Sequence, residues 1–265
     1  MKFACVVAFG IFAFCSAAIA RETNSPLDAL VAAYPDQLAG HEGNTLIFRD
    51  GTRMDAGSTV AGKPFDGLLT HATILDQFRI PYPAGAPATP PALNFDPGRF
   101  RNQAFFAKIY GDCKRGEVDR NLVPVVWLPQ SAHQTLMVTR INGVADRLGA
   151  ISAEIERLPP PIRAAAYPSA GVYSCRGVAD NGQPSMHAFA AAIDLNLKYS
   201  AYWLWDAGKS GGAFPYRNRI PLEIVNIFER HGFIWGGRWY HFDTMHFEYR
   251  PELLGSPLPP ATAPR

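Results

Sequence analysis

The sequence predicts an α+β fold: an antiparallel sheet flanked by helices. Three observations predict it. A long amphipathic helix precedes two strand-like stretches, a second helix follows them, and a strand–turn–strand closes the order. The first helix starts from Thr139, where Ile141, Val144, Leu148, Ile151, Ile155 and Leu158 recur at steps of three and four. Pro159, Pro160 and Pro161 stop it. Residues 171–178 and 190–197 are expected as strands. The second helix opens at Pro221, a residue suited to a first helical turn, and buries Ile224, Val225, Ile227 and Phe228 before ending near Gly232. Residues 233–250 are expected as strand, turn and strand.

The upstream chain has fewer signals. Leu46, Ile47 and Phe48 followed by Arg49-Asp50-Gly51 predict a short strand and a turn. Residues 80–98 are proline-rich and expected as an extended surface segment. Asn102 to Tyr110 is short and amphipathic, and Val125 to Leu128 is expected as a short strand. The expected organisation is a signal peptide (1–20), an N-terminal extension of unknown role (21–134), a main domain (135–254) and a disordered tail (255–265).

Composition narrows the function classes. Of 265 residues, 48% are apolar and 18% charged, which excludes a disordered chain. A net charge of +2 gives no basic field for nucleic acid. Lys2, the uncharged apolar run 3–15 and the small-x-small pattern Ala18-Ile19-Ala20 predict a cleaved secretory signal. The rival is an uncleaved anchor at the lower limit of spanning length. No second stretch of about 18 apolar residues occurs, so no stable membrane span is expected after cleavage. Export leaves Cys113 and Cys175 in an oxidising compartment, where a disulfide between them is expected. Two unpaired buried cysteines, or Cys175 as a metal ligand, are the alternatives.

The chemistry concentrates in two segments. The first runs Ser185-Met-His187-Ala-Phe-Ala190-Ala-Ala192-Ile-Asp194-Leu-Asn196. In a strand over 190–197, Ala190, Ala192, Asp194 and Asn196 would share one face, leaving open space beside a carboxylate. His187 lies just before it, where a loop can return the imidazole toward Asp194. The second segment is His241-Phe-Asp243-Thr-Met-His246-Phe-Glu248. Asp243 and His246 would face opposite ways in one strand, so Asp243 is expected in a turn and His246 at the start of the last strand. Two histidines and a carboxylate suit a catalytic zinc site, with a further acid to act on water. Taken singly, each part also fits a structural histidine or a turn-capping aspartate. Glu248 fits either a partner for a ligand histidine or a solvated strand residue. Trp203, Trp205, Trp235 and Trp239 are expected mostly in the core, some as cleft wall.

Segment 185–194 resembles the S-x-H-x-x-G-x-A-x-D motif of the M15 zinc peptidases, which include D-alanyl-D-alanine carboxypeptidases and L-alanyl-D-glutamate endopeptidases. Asp243-Thr-Met-His246 resembles their second motif, and Tyr173-Ser-Cys175-Arg176 an upstream segment ending in arginine. The stretch from about Thr139 to Leu254 is similar to the exported M15C and extensin-like branch. The resemblance implies a hedgehog/DD-peptidase-like zinc peptidase domain. It implies Zn2+ on His187, Asp194 and His246, Asp243 as general base, Arg176 as a catalytic group holding the substrate carbonyl, and Ser185 as a substrate-binding residue. It implies a monomeric periplasmic or secreted enzyme acting on peptidoglycan stem peptides. D-Ala-D-Ala carboxypeptidase action comes first and endopeptidase action next, with a non-catalytic zinc-bearing module as the rival. Ala190 departs from the motif, which has glycine there, and is expected to tighten the strand's approach or narrow the cleft.

Overall fold

The computed structural model describes residues 25–207 and 215–255; the expected signal peptide and residues 256–265 of the expected tail lie outside the described residues. In chain order the main elements are α1 (Pro26–Ala33), β1 (Leu38–Glu42), β2 (Thr45–Phe48), β3 (Arg53–Asp55), α2 (Phe65–Thr70) and α3 (Gln103–Tyr110). There follow β4 (Leu122–Trp127), β5 (Gln134–Thr139), α4 (Val144–Glu156), α5 (Pro160–Arg163), β6 (Ala192–Asp194), α6 (Trp203–Ala207), α7 (Leu222–Arg230), β7 (Phe233–Trp235) and β8 (His246–Tyr249). The class is α+β, as the sequence predicts. The strands form three small antiparallel sheets: β1-β2-β3, the hairpin β4-β5, and β6-β8-β7 with β8 in the middle.

The predicted helical stripe is the buried face of α4: Val144, Leu148, Ile151 and Ile155 are enclosed. The helix begins later than expected. Thr139 ends β5, and Asn142 adopts a left-handed φ of 55°, so residues 141–143 form only a 3-10 turn. The helix ends at Glu156, just ahead of Pro159, Pro160 and Pro161 as expected, because prolines cannot donate the next helical hydrogen bonds. In α7, Ile224, Val225, Ile227 and Phe228 turn inward, and the Phe228 ring stacks on Phe247 of β8 at 4.1 Å. One continuous core runs from Leu27 and Tyr34 near the start of the described chain to Phe247 and Tyr249 near its end.

Three expectations are corrected. Residues 171–178 form no strand; their backbone groups go to scattered partners, Ser174 N–H to His187 O and Val178 N–H to Gln183 O, with isolated bridges at Gly171 and Gly177. The strand expected over 190–197 shrinks to Ala192–Asp194. A 3-10 turn (Met186–Phe189) precedes it, and Ala190 takes φ 52°, ψ 32°, outside the strand region. The proline-rich segment is extended and irregular, but it is not all surface: Tyr82 is enclosed, and the chain from Asp96 to Arg101 is buried. The Cys113–Cys175 disulfide forms, with a Cα–Cα distance of 5.7 Å, and ties the end of the α3 region to the loop ahead of His187. Among the described residues no helix is long and apolar enough to cross a membrane.

Candidate metal centre

Backbone pairing brings the site together. In the β6–β8 ladder Asp194 lies directly opposite His246. Register therefore places two candidate ligands side by side with no help from a flexible loop. The third arrives from the 3-10 turn. Ser185 caps this turn by accepting from His187 N–H at 3.3 Å. The left-handed residue Ala190 then redirects the chain into β6, so His187 folds back over the strand that holds Asp194.

The three side chains converge on one point. His187 Nε2 lies 3.1 Å from Asp194 Oδ1, His246 Nδ1 lies 3.1 Å from the same oxygen, and the two nitrogens are 3.2 Å apart. Tetrahedral coordination at zinc–ligand lengths of about 2.0–2.1 Å requires ligand–ligand edges of about 3.3 Å. The triangle is that size, and its donor set of two imidazoles and a carboxylate is one that zinc favours.

The outer nitrogens of both rings are already committed. His187 Nδ1–H donates to Val172 O at 2.6 Å, and His246 Nε2–H donates to Glu248 Oε2 at 3.0 Å. With their outer nitrogens so engaged, His187 Nε2 and His246 Nδ1 face the triangle, the arrangement by which neighbours orient ligand histidines. Glu248 is fully enclosed and bonded to His246, which excludes the solvated strand residue and leaves the partner of a candidate ligand histidine. Burial alone would raise the Asp194 carboxyl and lower the His246 imidazole. In each case the opposite charges outweigh it. His187 and His246 hold Asp194 well below the carboxylate range, and the carboxylates of Asp194 and Glu248 push His246 up to about 10.

Asp243 sits in the turn before β8, as expected. The turn is pinned from several sides. Asp243 N–H donates to Gly236 O at 3.0 Å, Trp235 Nε1–H to Thr244 O at 2.8 Å, and Tyr202 bridges to Asp243 through the backbone. The approach at Gly236 leaves no room for a side chain: a Cβ there would stand 2.5 Å from the Asp243 carbonyl oxygen. The carboxyl's Oδ1 is buried with no hydrogen-bond partner among the described residues. Burial, with the Asp194 charge second, pushes the group up to about 7.

One cleft holds all six predicted residues: Arg176, Ser185, His187, Asp194, Asp243 and His246. Arg176 is half-exposed, its Nη2 4.0 Å from Asp194 Oδ2. Ser185 is enclosed and combines its capping bond with a place on the cleft wall. Trp203, Trp205 and Trp239 also line the cleft; Trp235 and Trp239 are buried in the core as expected, Trp239 serving both as core and as cleft wall, whereas Trp205 is exposed. Sequence reasoning missed Arg99, Arg101, Tyr202 and His241. Arg99 pairs with Asp96 at 3.1 Å and with Asp180, and His241 Nδ1–H donates to Asp96 at 2.6 Å. Arg99 and Arg101 come from the segment that carried no motif. Their only signal was two arginines at alternate positions, Arg99 and Arg101 on either side of Phe100, next to a proline-rich stretch, and that pattern is not diagnostic.

Residues 179–249 match an M15 family model described as D-alanyl-D-alanine carboxypeptidase. The matched stretch contains His187, Asp194, Asp243 and His246 and begins just after Arg176. It supports an M15-family peptidase, the family whose motifs the sequence resembles. No curated protein and no solved structure matches the chain.

Proposed function

We propose that this chain is an exported zinc metallopeptidase that hydrolyses peptide bonds in peptidoglycan stem peptides, acting first as a D-Ala-D-Ala carboxypeptidase. The observation that carries the reading is the triangle of His187 Nε2, Asp194 Oδ1 and His246 Nδ1 in the same cleft as the buried, unpartnered Asp243 oxygen. The family match supports the peptidase class.

His187, Asp194 and His246 would hold the ion. When bound, zinc supplies Lewis-acid polarisation and makes water a stronger acid. The protein's own groups do the rest. Asp243 is enclosed, so its carboxylate is a stronger base than one in water and accepts a proton from the attacking water. It then returns that proton to the leaving amine. The Arg176 guanidinium carries a fixed positive charge on the cleft wall, suited to the oxygen where negative charge develops. Ser185 presents a hydroxyl to the polar end of the substrate, and Trp203, Trp205 and Trp239 wall the cleft.

The test is mass spectrometry of peptidoglycan fragments digested by the zinc-loaded protein and by an Asp243→Ala variant. Loss of a single alanine supports the carboxypeptidase, and two internal fragments point to an endopeptidase. Equal, near-zero turnover in both proteins refutes catalysis and leaves a zinc-bearing binding module.

A further inference from the structure

The acceptor behind His246 is held by residues from far outside the matched stretch. Glu248 receives four donors. Arg101 contacts both of its oxygens, Nε to Oε1 at 3.2 Å and Nη2 to Oε2 at 2.7 Å. Arg250 Nη1 adds 3.1 Å to Oε1, and His246 Nε2 adds 3.0 Å to Oε2. A carboxylate offers about four lone-pair positions, so all are filled. Every member of this cluster is enclosed.

The segment that delivers Arg101 is itself locked in place. Asn102 caps α3 by accepting from Phe105 N–H at 2.9 Å, and it bonds the chain around Ala72 and Gln77. Gly98 O accepts from Arg250 Nη1 at 2.6 Å. Gly98 has φ +82°, and a Cβ there would lie 2.4 Å from Ile234 Cδ1. The segment therefore runs directly behind the sheet, closer than a side chain allows.

We infer that Arg101 is a positioning residue of the metal centre, acting through Glu248 on His246, so that the N-terminal extension completes the site. The inference rests on the zinc reading above. The paired guanidinium contact fixes the carboxylate plane. That plane fixes the His246 ring with Nε2 as donor and Nδ1 aimed at the ion. Partners of ligand histidines are worth roughly ten- to a hundredfold in metal affinity.

The experiment uses the full chain: wild type, Arg101→Gln, Arg101→Lys, Glu248→Gln and the Arg101→Gln/Glu248→Gln double variant. Each is stripped of metal and titrated with Zn2+ against a chromophoric chelator. Co2+ absorption reports ligand geometry, and melting in chelator reports metal-free stability. Arg101→Gln is expected to bind Zn2+ about ten- to a hundredfold more weakly and to show an altered Co2+ spectrum. Arg101→Lys should lie between it and wild type, and the double variant should bind no more weakly than Glu248→Gln alone. Wild-type affinity in a folded Arg101→Gln protein overturns the inference, even if that variant melts earlier. So do losses that multiply in the double variant. If Arg101→Gln does not fold, Arg101→Lys carries the test: affinity below wild type supports the inference and equal affinity overturns it. A wild-type chain that binds neither Zn2+ nor Co2+ refutes the zinc reading, and this inference with it. A wild-type chain that binds both while Arg101→Gln matches it refutes this inference alone.

Discussion

Replacing both Cys113 and Cys175 by alanine tests how much of the stability rests on a covalent tie between the N-terminal extension and the loop before His187. The two cysteines are 62 residues apart in sequence. In the chain-entropy treatment, releasing a loop of that length gives the unfolded chain about 4 kcal/mol of freedom at 25 °C. Packing adds little, because Cys175 is exposed and Cys113 only half-buried, so no large cavity is left. For a chain of this size the loss corresponds to a melting point lower by about 8–16 °C. The assay is equilibrium urea unfolding of the oxidised wild type against the double variant, with thermal melting alongside. The three side chains proposed as ligands lie on the 186–189 turn, β6 and β8, none of which the bridge joins, so Zn2+ affinity should survive. Arg176 is the next residue after Cys175, so its hold on substrate should weaken and KM should rise. A stability loss under about 1 kcal/mol would refute the loop-closure reasoning. Loss of metal binding in a folded double variant would refute the separation of bridge from ligand set.

Other substitutions probe the site and its support. Asp243→Asn should lower kcat by about 10²–10⁴-fold while leaving Zn2+ binding intact, because it removes a general base and no ligand; steady-state kinetics with metal analysis decides. The base must be deprotonated to accept a proton, and burial raises it toward 7 while a bound cation would lower it again. Activity should therefore rise with pH along an acid limb between about pH 4 and 7, and a flat profile across that range contradicts the assignment. Gly98→Ala should cost about 1–3 kcal/mol by denaturant unfolding, since the position needs a left-handed backbone and has no space toward Ile234. Ala190→Gly should change stability by less than about 1 kcal/mol. Relief of the left-handed strain, about 1–2 kcal/mol, is offset by one lost buried methyl, about 0.8 kcal/mol, and by the freer unfolded chain, about 0.5–1 kcal/mol. A change above 2 kcal/mol would show that one of these three effects had been mis-sized.

How far the fold was legible follows from how each element earns its stability. α4 and α7 bury one apolar stripe each, and that stripe is written in the sequence at helical spacing. β5 was also legible in principle: Leu136 and Val138 are buried while Thr135 and Met137 are exposed, a two-residue alternation overlooked beside the helix signal at Thr139. Residues 171–178 could not be read locally. Their apolar and polar residues mimic a strand, but the backbone is claimed by the disulfide, by His187 and by the turn at Gly182, all of them tertiary partners.

The site divides in the same way. The convergence of its candidate ligands was legible because each is tied to a short element of its own, the 186–189 turn, β6 or β8, and sequence spacing carries that information. The expected effect of Ala190 was mistaken because a strand was assumed across it. The structure gives the motif's glycine a different reason: the residue turns the chain through the left-handed region, where glycine is at ease and alanine is strained. The arginines behind the site were not legible at all. Arg101 reaches Glu248 across 147 residues of sequence, and nothing near either residue announces the other. What joins them is electrostatic need. A buried carboxylate that must point one way demands several donors, and those adjacent in sequence, His246 and Arg250, leave two of its lone pairs unfilled. The remaining donor had to come from whatever segment packs behind the sheet, and here that segment belongs to the N-terminal extension.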